Sequence, residues 1–122
     1  MADALVIDDN RETADALTQM LDVLGIKARE AYGASPAIAI LGKFTPSVIL
    51  LDINMPGVDG TEILAYLQRE PRLKAIPVIV ITSDDQPETR QRVMMGGATA
   101  MLIKPAILDT LEAALKKAKL LK

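Results

Sequence analysis

Short apolar runs alternate along the chain with longer stretches in which apolar residues recur at helical spacing. Strands are expected at about Ala4–Ile7, Lys27–Ala31, Val48–Leu51, Val78–Ile81 and Ala100–Ile103. Three of these read as near-continuous hydrophobic runs, the signature of parallel strands covered on both faces. Lys27–Ala31 is short and polar and is expected at a sheet edge.

Helical patterns fill the intervals. Leu17, Met20, Leu21 and Leu24 share one face, and Gly25 stops that helix. Ser35-Pro36 has the form of a helix start, a side-chain cap followed by a first-turn proline. Ile38, Ile40 and Leu41 would supply its apolar face, and Gly42 its end. Ile63, Leu64 and Leu67 mark a helix that stops before Pro71, and Pro87 opens one that ends at Gly96-Gly97. Ile107, Leu108, Leu111, Leu115 and Ala118 form the stripe of a last helix. Val93, Met94, Met95 and Met101 are assigned for the most part to the core, on their helical spacing. The segment Asn54-Met55-Pro56-Gly57-Val58-Asp59-Gly60 is rich in turn residues. The pattern predicts five β-α units in one domain over residues 1–122: an α/β fold with a five-stranded parallel sheet between two helical layers. Ligands of such sheets bind beyond the carboxyl ends of the strands.

Reactive polar residues stand at those ends. Asp8 and Asp9 follow Leu5-Val6-Ile7, Asp52 follows Val48–Leu51, Thr82 follows Val78–Ile81, and Lys104-Pro105 follows Met101-Leu102-Ile103. Taken singly, each has an ordinary explanation. Asp8 and Asp9 would serve equally as caps of the first helix, Asp52 as a turn residue, Thr82 as a strand end and Lys104-Pro105 as a turn. Jointly, they bring three carboxylates, a hydroxyl and an ammonium to one edge. Carboxylates about 5 Å apart repel by roughly 3 kcal/mol per pair at an effective dielectric near 20. Protonation or a bound cation must offset that. An all-oxygen donor set points to Mg²⁺ or Mn²⁺. A strand-end Asp can form an acyl phosphate. Lys104 could hold a phosphoryl oxygen as a point charge, and Thr82 could hydrogen-bond another.

Composition narrows the chemistry. The chain has neither Cys nor His, which excludes disulfides, thiol catalysis, Ser-His-Asp triads and imidazole-ligated metals. It also excludes a histidine phosphodonor. Aromatics are 2% and the net charge is −2, a poor match to base-stacking or duplex-DNA binding, so no direct nucleic-acid contact is expected. Lys116, Lys117, Lys119 and Lys122 suit the negative end of a terminal helix. No apolar stretch is long enough for a membrane span, so no membrane contact is expected, and a reducing cytoplasm is the expected compartment.

Asp8-Asp9, Asp52 with Met55-Pro56 and Gly60, Thr82, Gly97-Ala98 and Lys104-Pro105 together resemble the receiver domain of bacterial two-component response regulators. The resemblance covers essentially the whole chain. It implies a flavodoxin-like sheet of order 2-1-3-4-5. It further implies that Asp52 is the phosphoacceptor and that Mg²⁺ is held by Asp8, Asp9, Asp52 and the Asn54 backbone carbonyl. Lys104 would contact the phosphoryl group through a loop with a cis Lys104-Pro105 peptide, and Thr82 would move toward that group. Asn54 and Asp84, two residues after Asp52 and Thr82, occupy positions whose side chains often tune the lifetime of the phosphorylated state. The implied donors are a sensor histidine kinase or a phosphotransfer protein, and the implied reader is a downstream protein meeting the fourth helix, fifth strand and fifth helix. A monomer or weak dimer is expected, either stand-alone or as part of a larger regulator or hybrid kinase.

Two features of the chain depart from the family pattern. Met101 stands where receivers usually carry Tyr or Phe, so the usual Thr-aromatic relay lacks its ring. Ser83 stands where Ala is common. Met101 motivates an alternative, output by phosphorylation-independent protein interaction. A turnover phosphatase with an aspartyl-phosphate intermediate is a third reading. It usually needs an acid two residues after the nucleophile, where this chain has Asn54.

Overall fold

The computed structural model describes residues 3–55 and 57–122. Its main sheet contains β1 (Asp3–Ile7), β2 (Lys27–Ala31), β3 (Val48–Leu51), β4 (Val78–Thr82) and β5 (Ala100–Ile103). All pairings in it are parallel, as the pattern predicts, and the spatial order is β2-β1-β3-β4-β5, as the resemblance implies. The helices are α1 (Arg11–Val23), α2 (Ala34–Leu41), α3 (Gly60–Arg69), α4 (Pro87–Met95) and α5 (Leu108–Lys117). Asn54–Met55 and Val58–Asp59 form a small antiparallel ribbon between β3 and α3, within the segment expected to be a loop.

Alternate side chains of a strand point to opposite faces, so the apolar runs feed two cores. Leu5, Ile7, Ile49, Leu51, Val80 and Met101 pack on one side with residues of α2, α3 and α4. Ala4, Val6, Leu50, Ile79 and Ile81 pack on the other with α1 and α5. The central strands β1, β3 and β4 are therefore almost wholly buried. Edge strand β2 alternates exposed and partly covered residues, and its charges guard a free edge.

Helix details differ from the pattern in four places. The first is α2, which starts at Ala34 with Gly33 as its cap and no side-chain cap, so Ser35 does not cap it. Gly33 takes the bend at φ 154°, and Pro36 becomes the third helical residue, where a missing N–H leaves nothing unpaired. The second is the inward face of α2, which is Ala37 and Leu41, while Ile38 is exposed. The third is α5, where Ile107 is the cap residue and is exposed, Leu108 is exposed, and Ala118 lies just past the last turn; Leu111, Ala114 and Leu115 are buried. The fourth is the Met-rich segment. Val93 and Met101 are core, Met94 is partly buried, and Met95 is 80% exposed. Strand boundaries move by one residue, to include Asp3 in β1 and Thr82 in β4.

Register sets the functional edge. Ile7 lies beside Leu51, Leu51 beside Val80, and Thr82 beside Ile103. The ladder runs one step past the strands: Asp8 N donates to Ala31 O at 3.0 Å, Asp52 N to Ile7 O at 2.9 Å, and Lys104 N to Thr82 O at 2.8 Å. The main chains of Asp8, Asp52 and Lys104 are thus fixed by the sheet, and their side chains project beyond it.

Candidate functional site

Asp8, Asp9, Asp52, Thr82 and Lys104 all lie at the carboxyl edge of the sheet, where the pattern puts them. Asp8, Asp52 and Thr82 are buried polar residues, at 1%, 3% and 0% exposure, and Asp9 is exposed. The alternative role of Asp8 and Asp9 as helix caps does not hold, because Asn10 caps α1 by accepting from Thr13 N. Asp8 Oδ1 instead accepts from Asn10 N at 2.9 Å.

Charge pairing centres on Lys104. Its Nζ donates to Asp8 Oδ2 at 3.1 Å and lies 3.4 Å from Asp52 Oδ2. The Lys104-Pro105 peptide is cis. Asp52 Oδ1 accepts from Asn54 N at 2.9 Å. Burial pushes the Asp52 carboxyl above the usual carboxylate range; the Asn54 N–H opposes the shift, the Asp8 charge adds to it, and Lys104 opposes it again. One lysine between two buried carboxylates, with a third acid nearby, leaves net negative charge uncompensated.

That residue set fits a hard divalent cation. Asp8, Asp9 and Asp52 each offer a carboxylate oxygen, and these oxygens lie within 4.8 Å of one another. All are oxygen donors, and the exposure of Asp9 leaves one side of the cluster open to solvent, which suits an ion that keeps waters and shares its shell with phosphate.

The hydroxyl side of the edge is held differently. Thr82 Oγ1 accepts from Asn54 Nδ2 at 2.7 Å and from Asp84 N at 3.1 Å. Asp84 accepts from Thr89 Oγ1 at 2.6 Å and from Gln86 N at 3.0 Å, tying the β4–α4 loop to α4. The Thr89 hydroxyl and then the Gln86 N–H hold the Asp84 carboxyl below its usual range. The side-chain contact from Asn54 to Thr82 was not legible in the sequence. The only hint was that Asn54 and Asp84 each follow a strand-end site residue by two positions.

The loop behind Asp52 depends on Gly60. A Cβ there would collide with Ile53 Cα, because Gly60 N donates to Ile53 O across the ribbon. Gly97 is constrained instead by its backbone, which at φ 105° favours glycine. Met101 is 7% exposed and packs in the core with Val80, Val93 and Leu64.

Fold and edge chemistry together define a parallel α/β switch domain built around an acidic cluster. Residues 4–116 match the family model of the response regulator receiver domain, and the chain belongs to that family. It is 33% identical over 111 residues to Protein PilH of Pseudomonas aeruginosa, covering 91% of this chain and 92% of that protein. The signal receiver domain of a DNA-binding response regulator from Colwellia psychrerythraea superposes with TM-score 0.91 at 31% identity, over 99% of this chain and 100% of that one. Vibrio cholerae chemotaxis protein CheY4 superposes with TM-score 0.89 at 29% identity, over 97% and 98%. The chain is a receiver of two-component signal transduction, a signalling switch whose family works through phosphorylation. Among the described residues, no helix is long and apolar enough to cross a membrane.

Proposed function

We propose that this chain, as a single receiver unit over residues 1–122, accepts a phosphoryl group on Asp52 and thereby changes a partner-binding surface. The observation that carries the reading is the burial of Asp52 at 3% exposure beside the Lys104 ammonium, which it shares with the Asp8 carboxylate. A group so placed is shielded from water yet adjacent to a cation that can take up charge on an incoming phosphate.

In the proposed reaction an Asp52 carboxylate oxygen attacks phosphorus. The bond from phosphorus to the donor breaks, and the donor leaves with that electron pair. The donor would be a phosphohistidine of a sensor kinase or phosphotransfer protein, or a small phosphodonor. Lys104, already at Asp52 Oδ2, would exchange part of its pairing with Asp8 for a phosphoryl oxygen. Thr82 would donate its hydroxyl proton to another. Mg²⁺, held by Asp8, Asp9, Asp52 and the Asn54 carbonyl, would offset the negative charge gathered at the edge. Beyond its own phosphorylation and slow dephosphorylation, no turnover is proposed. Asn54 offers an amide where a hydrolase of this type needs an acid.

A phosphorylated side chain carries about −1.5 to −2 charge. Its capture by Thr82 and Lys104 would draw in the β4–α4 loop and repack the α4-β5-α5 face, where Met95, Ile103, Ile107 and Leu108 are exposed. A coupling of roughly 1–3 kcal/mol between site and surface is enough for regulation. The test is incubation with acetyl phosphate and Mg²⁺, read by mass and by phosphate-affinity gel. Wild type gains one acid-labile phosphate and Asp52→Asn gains none. A wild type that stays unmodified, or an Asp52→Asn protein modified equally, removes the proposal.

A further inference from the structure

Thr82 is fully buried, and both lone pairs of its hydroxyl are engaged, one by Asn54 Nδ2 at 2.7 Å and one by Asp84 N at 3.1 Å. A hydroxyl has one proton and two lone pairs, so Thr82 is left with donation as its free capacity. Among the hydrogen bonds of the described residues, none joins Thr82 Oγ1 to Asp52 or Lys104. The two bonds on Thr82 differ in kind. The one from Asp84 N spans two residues within the β4–α4 loop and travels with that loop. The one from Asn54 spans 28 residues and ties the β4 end to the ribbon behind Asp52. Asn54 therefore touches both sides of the site, Asp52 through its main-chain N–H and Thr82 through its side chain.

We propose that the Asn54 carboxamide is a positioning residue that latches Thr82 in the unphosphorylated chain. It holds the hydroxyl to the ribbon, and this bond is released when Thr82 donates its proton to a phosphoryl oxygen on Asp52. No covalent bond changes in this step: Thr82 donates with its free proton, the displacement of its hydroxyl toward Asp52 breaks the bond it accepted from Asn54, and the freed amide turns to water, to which Asn54 is exposed. The inference rests on Asp52 as the phosphoacceptor. The latch opposes the switch, so deleting it favours the phosphoryl-bound form. Because the latch is a side-chain bond, Asn54→Ala removes it while the Asn54 main-chain N–H to Asp52 is retained.

The test uses beryllofluoride with Mg²⁺ on the full chain, as a mimic of the phosphoryl group, with affinity measured by calorimetry. Asn54→Ala binds it about 3- to 10-fold more tightly than wild type, the worth of one ordinary hydrogen bond. In a Thr82→Val background the same substitution changes affinity less than about 2-fold, because the acceptor is gone. Unchanged or weaker binding by Asn54→Ala, or an equal gain in both backgrounds, overturns the latch. A second readout is independent of affinity. In NMR spectra of the free protein one Asn54 side-chain amide proton exchanges slowly, and it becomes fast-exchanging on addition of beryllofluoride. Persistence of the slow proton in the loaded protein overturns the release. A wild type that binds no beryllofluoride overturns the phosphoacceptor reading instead, and the latch falls with it.

Discussion

The two halves of the functional edge are built on different principles. Asp8, Asp52 and Lys104 form a charged half whose main chains are clamped by ladder bonds running past β1, β3 and β5. The Thr82 hydroxyl, the Asn54 carboxamide and the Asp84 main-chain N–H form a neutral half in which the ribbon and the β4–α4 loop are joined by one side-chain amide. Removing Lys104 from the charged half leaves two buried carboxylates unpaired, a costly state. Removing a partner from the neutral half forfeits a single hydrogen bond of about 1 kcal/mol. In the proposed switch the charged half would hold still and receive the group, and the neutral half would move in response.

The largest effect should come from beneath the charged half. Leu51 is fully buried one residue before Asp52, and Leu51→Ala should destabilise the chain by about 2–5 kcal/mol in urea unfolding. A loss under 1 kcal/mol would show that the ladder is not anchored by this core. Lys104→Ala should cost about 2 kcal/mol at neutral pH without divalent ions, by stranding Asp8 and Asp52. Millimolar Mg²⁺ should restore part of that loss; stability indifferent to both the mutation and the ion would contradict the charge argument.

Asp52→Asn sharpens the same half through pH. The folded-state carboxyl sits above its unfolded value of 3.8, so the folded chain binds more protons in that window. Stability therefore falls as pH rises from about 4 through the raised value, and ionised Asp52 destabilises the fold at neutral pH. Without divalent ions, Asp52→Asn should be more stable than wild type at pH 7, and the advantage should shrink as pH drops toward 4. An advantage that grows on acidification would reverse the assigned direction. The smallest effect belongs to the neutral half. Asn54→Ala should change unfolding stability by no more than about 1 kcal/mol. A larger loss would mean that the ribbon depends on this side chain for its fold.

Met101 separates this receiver from the usual family pattern in a way the structure makes concrete. The side chain is packed against Val80 and Val93 rather than standing at the surface. A flexible, unbranched thioether can follow a shifted Thr82 without two discrete positions. Met101 is not among the groups of the charged half, so the departure bears on the proposed readout and not on the proposed phosphoryl transfer.

Much of the site was legible because strand ends are legible. A buried parallel strand is written as a continuous apolar run, and the first polar residue after it is bound to lie at the edge. Asp8, Asp52, Thr82 and Lys104 were all found this way. The cap of α1 was not, because Asp8, Asp9 and Asn10 are all cap-capable, and only the start of the helix at Arg11 makes Asn10 the cap. The face of α2 was read only in part: Leu41 is buried and Ile40 packs partly against the core, but Ile38 is exposed. Ala37 is fully buried, yet its small side chain carries little hydrophobic signal.

The chain's own order of residues determined the alternation of strands and helices, the edge at which the acids, Thr82 and Lys104 collect, and the hard-oxygen character of that edge. These follow from local periodicity and from the chemistry of each side chain. Tertiary structure alone decided that Lys104 pairs more closely with Asp8 than with Asp52, that burial outweighs this pairing and raises the Asp52 carboxyl, and that Asn54 reaches Thr82. Those outcomes depend on register, loop path and desolvation among residues far apart in the chain, and no local pattern encodes them.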